Sequence, residues 1–273
     1  MARTVLLVTV TLASLATASA SAAALLDDHF NDSVLATNTS GVGDGFTLVE
    51  NTSGTGGSAT EAGTIATITE GSVSRTTGII SDNAIDFSNS SNTYTVEWDV
   101  DTLASSGSST VRRSWYVLQT NSNFIYSSAT DNQFILIIND AGNVDDSSEL
   151  IYRKDSTATT LGTNSLGDYS GNDADGFTVR MVLDATGYTI SSVGLDATNQ
   201  VALSGSWGVD SNPTYADLFG DGSMFVSTYL QDLGATGVQT SIDRISVTAV
   251  PEPGSLAIMV LGGLMLIAAR RRR

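Results

Sequence analysis

The sequence predicts an all-β domain built as a two-sheet antiparallel sandwich. Three observations carry that expectation. Apolar and polar residues alternate with a period of two in several short segments. Clusters of Gly, Ser, Thr, Asn and Asp separate those segments, as turns require. Away from the two chain ends, no stretch carries the stripe of an amphipathic helix. Many short strands joined by polar turns bury their apolar faces by stacking two sheets. No shift in composition calls for a second domain, and no internal repeat is present.

In chain order, Thr64 to Thr69 is the first strand segment. Thr93 to Val100 follows, with Tyr94, Val96, Trp98 and Val100 on one face and Thr95, Glu97 and Asp99 on the other. Trp115 to Thr120 comes next. Phe134 to Ile138 is apolar without interruption, which predicts a strand covered on both faces. Leu150 to Arg153 is short, and Lys154 with Asp155 marks a turn. Phe177 to Leu183 points Phe177, Val179, Met181 and Leu183 inward. The turn Asp184-Ala185-Thr186-Gly187 then returns the chain through Tyr188 to Ile190. Met224 to Leu230 and Ile242 to Ala249 complete the set.

Composition narrows the chemistry. The 273 residues include 29 Asp and Glu against 12 Lys and Arg, one His and no Cys. Zero Cys removes disulfides, Cys-ligated zinc and Cys nucleophiles. A single His removes multi-histidine metal centres. Twenty-eight of the 29 acids and seven of the 12 bases lie between residues 25 and 249, a net of −21 there. Such a surface repels phosphates, so nucleic acid is excluded as a partner.

The two ends read as targeting segments. Arg3, an apolar run from Val5 to Ala16 and small residues at Ala22-Ala23-Ala24 describe a signal peptide over residues 1–24, cut before Leu25. Ala18-Ser19-Ala20 is a second candidate cleavage site. At the other end, residues 254–269 are uncharged. As a helix they would span about 24 Å, against a hydrocarbon core of ~30 Å. Arg270, Arg271, Arg272 and Arg273 extend that minimal span by reaching the lipid phosphates, and they hold the tail on the cytoplasmic side. The sandwich, at residues 25–249, then lies outside.

Val250-Pro251-Glu252-Pro253, a short apolar helix and a terminal Arg cluster, in that order, resemble the PEP-CTERM sorting signal of Gram-negative bacteria, here over residues 250–273. The resemblance implies recognition by an exosortase, a membrane protease-transpeptidase that cuts near Pro251, Glu252 and Pro253. The precursor would be anchored transiently in the inner membrane and the product passed to the cell surface or extracellular matrix. Two prolines forbid helix at the boundary, which predicts an extended, accessible strip outside the bilayer.

The segments LDDHFND (residues 26–32), GFTVRMVLDATGYTI (176–190) and SIDRISVTAV (241–250) resemble jelly rolls of the concanavalin A/laminin-G type. That resemblance implies carbohydrate or protein binding and, in one branch, glycoside hydrolysis. First and last strands are commonly neighbours in such folds, and similar carbohydrate-binding modules hold a structural Ca²⁺ there. Asp243 has the parity of Ile245 and Val247, so it points inward unless a bulge intervenes. Asp28, Asp32 and Asp243 are therefore a candidate calcium site. The alternative is an Asp243 that accepts backbone N–H groups and N-terminal acids that are solvated. The acidic turns Asp140 to Asp146 and Asp173 to Gly176 lack EF-hand spacing and read as ordinary turns.

Glu97, Asp99 and Asp101 share one strand face. Close carboxylates can push one another's pKa apart, as glycoside hydrolysis needs. Laminarinase-type hydrolases on this fold are similar, with an acid-x-acid strand, but here Asp101 stands where Glu is expected. The plain alternative is a solvated polar strand face. Among the tryptophans, Trp98 has core parity, while Trp207, in Ser204-Gly205-Ser206-Trp207-Gly208, sits in a loop-like setting and is the candidate for stacking on a sugar. Tyr126, Tyr169 and Tyr215 also fall in loop-like stretches. His29 lacks a nucleophile-elbow partner. The leading expectation is a non-enzymatic surface or matrix protein with an adhesive or carbohydrate-binding role, its partner exopolysaccharide or another glycan. Its rivals are a glycoside hydrolase using Glu97, Asp99 and Asp101, and a structural envelope protein with no small ligand.

Overall fold

The computed structural model describes residues 21–37, 41–43, 45–50, 56–71, 76–103, 112–122, 131–140, 147–166, 176–194, 200–209, 212–220, 222–232 and 239–252. Among these are sixteen strands and one short helix, numbered in chain order. The first sheet runs β14 (Ala202–Ser206), β13 (Gly187–Val193), β12 (Phe177–Leu183), β7 (Asn92–Leu103), β16 (Gln239–Pro251), β4 (Ile65–Thr69), β3 (Ser58–Ala62). β1 (Ala23–Asp28) also pairs with β16. The second sheet runs β11 (Thr157–Ser165), β10 (Ser147–Lys154), β9 (Gln133–Asp140), β8 (Arg112–Gln119), β15 (Ser223–Asp232), β5 (Thr76–Ser81), β2 (Phe46–Glu50). β6 (Ile85–Asp86) adds to β15. All pairings are antiparallel, so the predicted two-sheet sandwich is the observed architecture.

The core lies between the sheets, and the alternation read from the sequence fills it. Tyr94, Val96, Trp98 and Val100 of β7 are buried there, beside Phe177, Val179, Met181 and Leu183 of β12. The Trp98 ring meets Tyr116 of β8 edge-on, with centroids 5.6 Å apart. β9 is covered on both faces as predicted. Phe134, Leu136 and Ile138 enter the main core, while Ile135 and Ile137 join a second cluster with Trp115, Val117, Ile151 and Tyr229 on the other face of that sheet.

The turns follow local chemistry. β10 and β11 join through Asp155 and Ser156 at φ 50° and 66°, the paired left-handed geometry of a two-residue hairpin. Between β12 and β13, Asp184 Oδ1 accepts the N–H groups of Thr186 (2.6 Å) and Gly187 (3.0 Å). Burial pushes the Asp184 carboxyl up, but the hydrogen bonds from Thr186 and Gly187 prevail and hold it below the ordinary carboxylate range. The helix α1 (Tyr215–Phe219) is a single turn started by a Thr214–Asp217 capping box.

β1 already runs in the sheet at Ala23 and Ala24, which pair with Ala249 and Thr248. Both ends of the domain therefore leave from one pole of the sandwich. The predicted terminal helices and the Arg270–Arg273 cluster lie outside the described residues, as does Pro253. Among the described residues, no helix is long and apolar enough to cross a membrane.

Candidate functional site

The site starts from an irregularity in the central pair of strands. Ser241 lies opposite Thr102, Ile242 opposite Val100, and Arg244 opposite Asp99. Asp101 and Asp243 are thus extra residues, one in each strand, in successive bulges. Ile242 and Ile245 both remain buried, and Asp243 between them is turned out of the core. Strict alternation pointed Asp243 inward; the bulge reverses it. The other edge of β16 is broken at the same place. β4 pairs with Gln239 to Ile242 and β1 with Ile245 to Ala249, leaving Asp243 and Arg244 between them.

A groove of about 950 Å³ opens there, lined by His29, Asn31, Asp99, Thr178, Asp243 and Arg244, with Phe177 contributing apolar surface. Arg244 organises its polar wall. Its Nε donates to Asp27 Oδ1 at 2.7 Å, and its Nη1 lies 4.0 Å from Asp99 Oδ2. His29 Nε2 stands 3.4 Å from the same Asp27 oxygen. Asp99 Oδ1 accepts the Thr178 hydroxyl at 2.6 Å, and Asp101 Oδ2 accepts that of Thr102 at 2.9 Å. Burial, then the charges of Asp101 and Asp99, push the Asp243 carboxyl up. Glu97, the third acid on this strand face, takes Arg180 Nε on its Oε1 at 2.6 Å. The three candidate catalytic carboxylates are therefore divided between an ion pair, the groove wall and a bulge.

Of the candidate calcium ligands, Asp28 and Asp32 are close enough to act on each other's charge, while Asp243 has other acidic neighbours. The charged neighbours that raise Asp28 are Glu61 and Asp32, whereas those that raise Asp243 are Asp101 and Asp99. Asp32 bonds the Val34 N–H (3.0 Å) and the Thr37 hydroxyl (2.8 Å). Among the described residues, no group of three or more acidic or histidine side chains is arranged to hold a metal ion. What the structure builds instead is a buried pair. Asp28 is 2% exposed and Glu61 8%. Asp28 Oδ1 accepts the Phe30 N–H at 2.8 Å, and Glu61 Oε1 accepts those of Asp32 (2.9 Å) and Ser33 (2.6 Å). Among the described residues, Asp28 Oδ2 and Glu61 Oε2 are buried without a hydrogen-bond partner. Burial, opposed by the Phe30 N–H and reinforced by Glu61 and Asp32, pushes Asp28 up to about 6.

Trp207 is placed against the core rather than out in solvent. Its ring packs at 5.0 to 6.0 Å from those of Tyr188, Phe134, Tyr215 and Phe219, and its Nε1 donates to the Asp184 carbonyl at 2.7 Å. Trp98 is core, as its parity required, and Trp115 belongs to the second cluster. Tyr215 donates its hydroxyl to the Phe87 carbonyl at 2.5 Å. Lys154 lies 3.3 Å from Asp217 on the surface. Tyr126, Tyr169 and the acidic turn residues 141–146 and 171–175 lie outside the described residues.

At the C-terminus, the family profile described as "PEP-CTERM protein-sorting motif" matches residues 249–273. The chain ends in a PEP-CTERM motif. Its first residues belong to the fold. Pro251 pairs with Asn92 as the last rung of β16, and the Glu252 N–H donates to the Ser91 carbonyl at 2.8 Å. Pro251 and Glu252 are half-buried, so the strip expected to stand free begins inside the sandwich. No curated protein sequence matches the chain.

Several solved structures are similar to this chain in fold. One is the CBM2 module of the evolved Dit of Lactobacillus casei BL23 phage J-1, with TM-score 0.57 and 9% identity, covering 85% of this chain and 98% of that one. Another is the Bauhinia forficata lectin in complex with GalNAc, with TM-score 0.57 and 10% identity, covering 85% and 99%. A third is the carbohydrate recognition domain of Emp46p in a potassium-bound form, with TM-score 0.51 and 11% identity, covering 74% and 87%. The domain thus shares the jelly-roll sandwich fold of these lectin-like structures.

Proposed function

We propose that the protein is exported, sorted by an exosortase to the surface or matrix of a Gram-negative cell, and binds carbohydrate there without catalysis. The observation that carries the binding step is the groove at the double bulge. It offers fixed acceptors (Asp99, Asp243), a fixed cation (Arg244), and the apolar surface of Phe177. Hydroxyl groups of a sugar need such preset donors and acceptors, and sugar C–H faces need apolar surface. The lectin-like fold supports this reading, because two of the similar proteins are named for carbohydrate recognition or a bound sugar.

The non-enzymatic part rests on how the acids are used. Glu97 is tied to Arg180 and lies outside the groove lining, so an acid-x-acid pair does not face one ligand. The binding step proposed here does not call on calcium, and among the described residues no three acidic or histidine side chains are arranged to hold a metal ion.

The geometry also suits display. Asp243 is eight residues from Pro251 along β16, about 25 Å of extended strand. A chain anchored by its C-terminal tail would thus hold the groove away from the lipid. Leader removal fits the same frame. Cleavage after Ala20 preserves β1, whereas cleavage after Ala24 would remove its first two residues. N-terminal sequencing of the exported protein should therefore begin at Ser21; Leu25 would show that the sheet forms without them.

The test is a glycan array probed with the exported domain. Wild type should bind a subset of polysaccharides, with EDTA making no difference. Asp99→Asn combined with Asp243→Asn should weaken that binding at least tenfold while the thermal transition is kept. Reducing sugar should not be released from any bound glycan. Release that is abolished in Glu97→Gln would replace this reading with the hydrolase, and a folded domain that binds nothing would leave a structural envelope protein.

A further inference from the structure

The sorting motif and the domain share backbone. Ala249, buried at 5% exposure, pairs with Tyr94 on one side and Ala23 on the other. Val250 pairs with Thr93, Pro251 with Asn92, and the Glu252 N–H closes on the Ser91 carbonyl. The receiving segment is itself a tied turn. The Ser91 N–H donates to Asn89 Oδ1 at 3.1 Å, and the Asn92 N–H to the Asn89 carbonyl at 3.0 Å. Proline offers no N–H of its own, so among the described residues the Glu252 amide is the last donor fastening this end of β16. In sequence, only Pro253 separates that bond from the uncharged stretch that begins at Gly254.

Proteases commonly take a substrate as an extended segment whose main-chain groups pair with the enzyme, as an added strand does. From Ala249 to Glu252 one edge of that segment is already taken, by β7 through Pro251 and by the Ser91 carbonyl at Glu252, while β1 covers the other edge at Ala249. We propose that pairing with β7 shields the N-terminal half of the motif, so that processing is gated by release of the Pro251–Asn92 rung and the cut falls beyond Glu252. This rests on the exosortase reading of the tail. In the cut, the peptide C–N bond on the C-terminal side of the scissile residue breaks. The acyl carbon passes to water or to an acceptor amine or hydroxyl, and the departing amine takes the proton and leaves with the tail. The folded sandwich thereby keeps all of β16.

The consequence is a domain that sets its own processing point. Release of the last rung exposes Pro251 and Glu252 without opening the core, because the nearest buried side chain upstream is Ala249. The Ser91–Glu252 bond and the Asn89 turn act as a latch on the substrate rather than as features of the protease.

The full chain, expressed in a bacterium that processes PEP-CTERM proteins and in its exosortase-deletion strain, tests this. Pulse-chase gives the rate, and mass spectrometry of the mature C-terminal peptide gives the cut. A second chain carries a six-residue Gly-Ser spacer between Val250 and Pro251, which moves the motif off the sheet and leaves β16 through Val250 in place. The spacer chain should be processed at least fivefold faster, and the wild-type product should end at Glu252 or later, both only where exosortase is present. Equal rates, or a wild-type product ending before Glu252, would overturn the gate while leaving the sorting reading intact. Processing of neither chain, or equal processing in the deletion strain, would overturn the sorting reading and the gate with it.

Discussion

Replacing Trp207 with Ala should cost the sandwich about 3 kcal/mol of stability, the range seen when a large packed aromatic is removed. The indole touches four other rings and closes the edge of the core where β9, β13 and α1 converge. Its Nε1 also caps the Asp184 carbonyl, which the truncated residue would leave to water. Urea unfolding followed by circular dichroism should show the midpoint lowered by about 1 M or more, given slopes of ~1–3 kcal/mol/M. Glycan binding per folded molecule should be unchanged, because the groove at Asp243 does not include this ring. Loss of binding with an unmoved midpoint would return Trp207 to the role of a sugar platform.

Asp28→Asn should stabilise the protein at pH 7, by about 2 kcal/mol. Asp28 titrates near 6 when folded, against a usual 3.8. A carboxyl raised on folding holds its proton more tightly in the native state. Its effect on stability is absent below the unfolded value, grows unfavourable as pH rises through the interval, and is complete above about 6. The full shift corresponds to about 3 kcal/mol, and partial solvation trims it. An Asn keeps the acceptor for the Phe30 N–H and places a donor where Oδ2 now has no partner beside Glu61. Burial also raises Glu61 and Asp243, so wild type should melt at a higher temperature near pH 5 than at pH 7. Asp86, Asp184 and Asp217 are lowered, and their contribution is lost only under more acidic conditions. The Asn variant should flatten the rise between pH 7 and 5. A wild-type melting temperature that falls steadily over that interval would refute this account.

Strands with one clean apolar face were legible. Phe177 to Leu183 was read residue for residue, and the burial of Phe134 to Ile138 on both faces followed from its unbroken apolar run. β3 (SATEA), β11 (TATTLGTNS) and β14 (ALSGS) were not legible, because sheet edges need little apolar side chain. The one-turn helix α1 is too short for a helical period to register. At the site, period-two parity failed at Asp243 because a bulge shifts parity by one; two isoleucines three residues apart, Ile242 and Ile245, were the available clue. Arg244 and Asp27 stand 217 positions apart, and Arg180 and Glu97 stand 83 apart, so no local pattern announces either pair. The loop-like look of Ser204 to Gly208 concealed a tryptophan folded back over Tyr188.

β16 follows every other described strand, yet it occupies the middle of its sheet, with β7 on one side and β4 and β1 on the other. A chain exported N-terminus first therefore emerges as two part-sheets lacking their common seam. β1 must wait for a partner more than two hundred positions downstream, and pairings of that reach assemble slowly. The seam can close only when the residues adjoining the C-terminal motif are free to pair, and until then the facing edges of β7, β4 and β1 stay open.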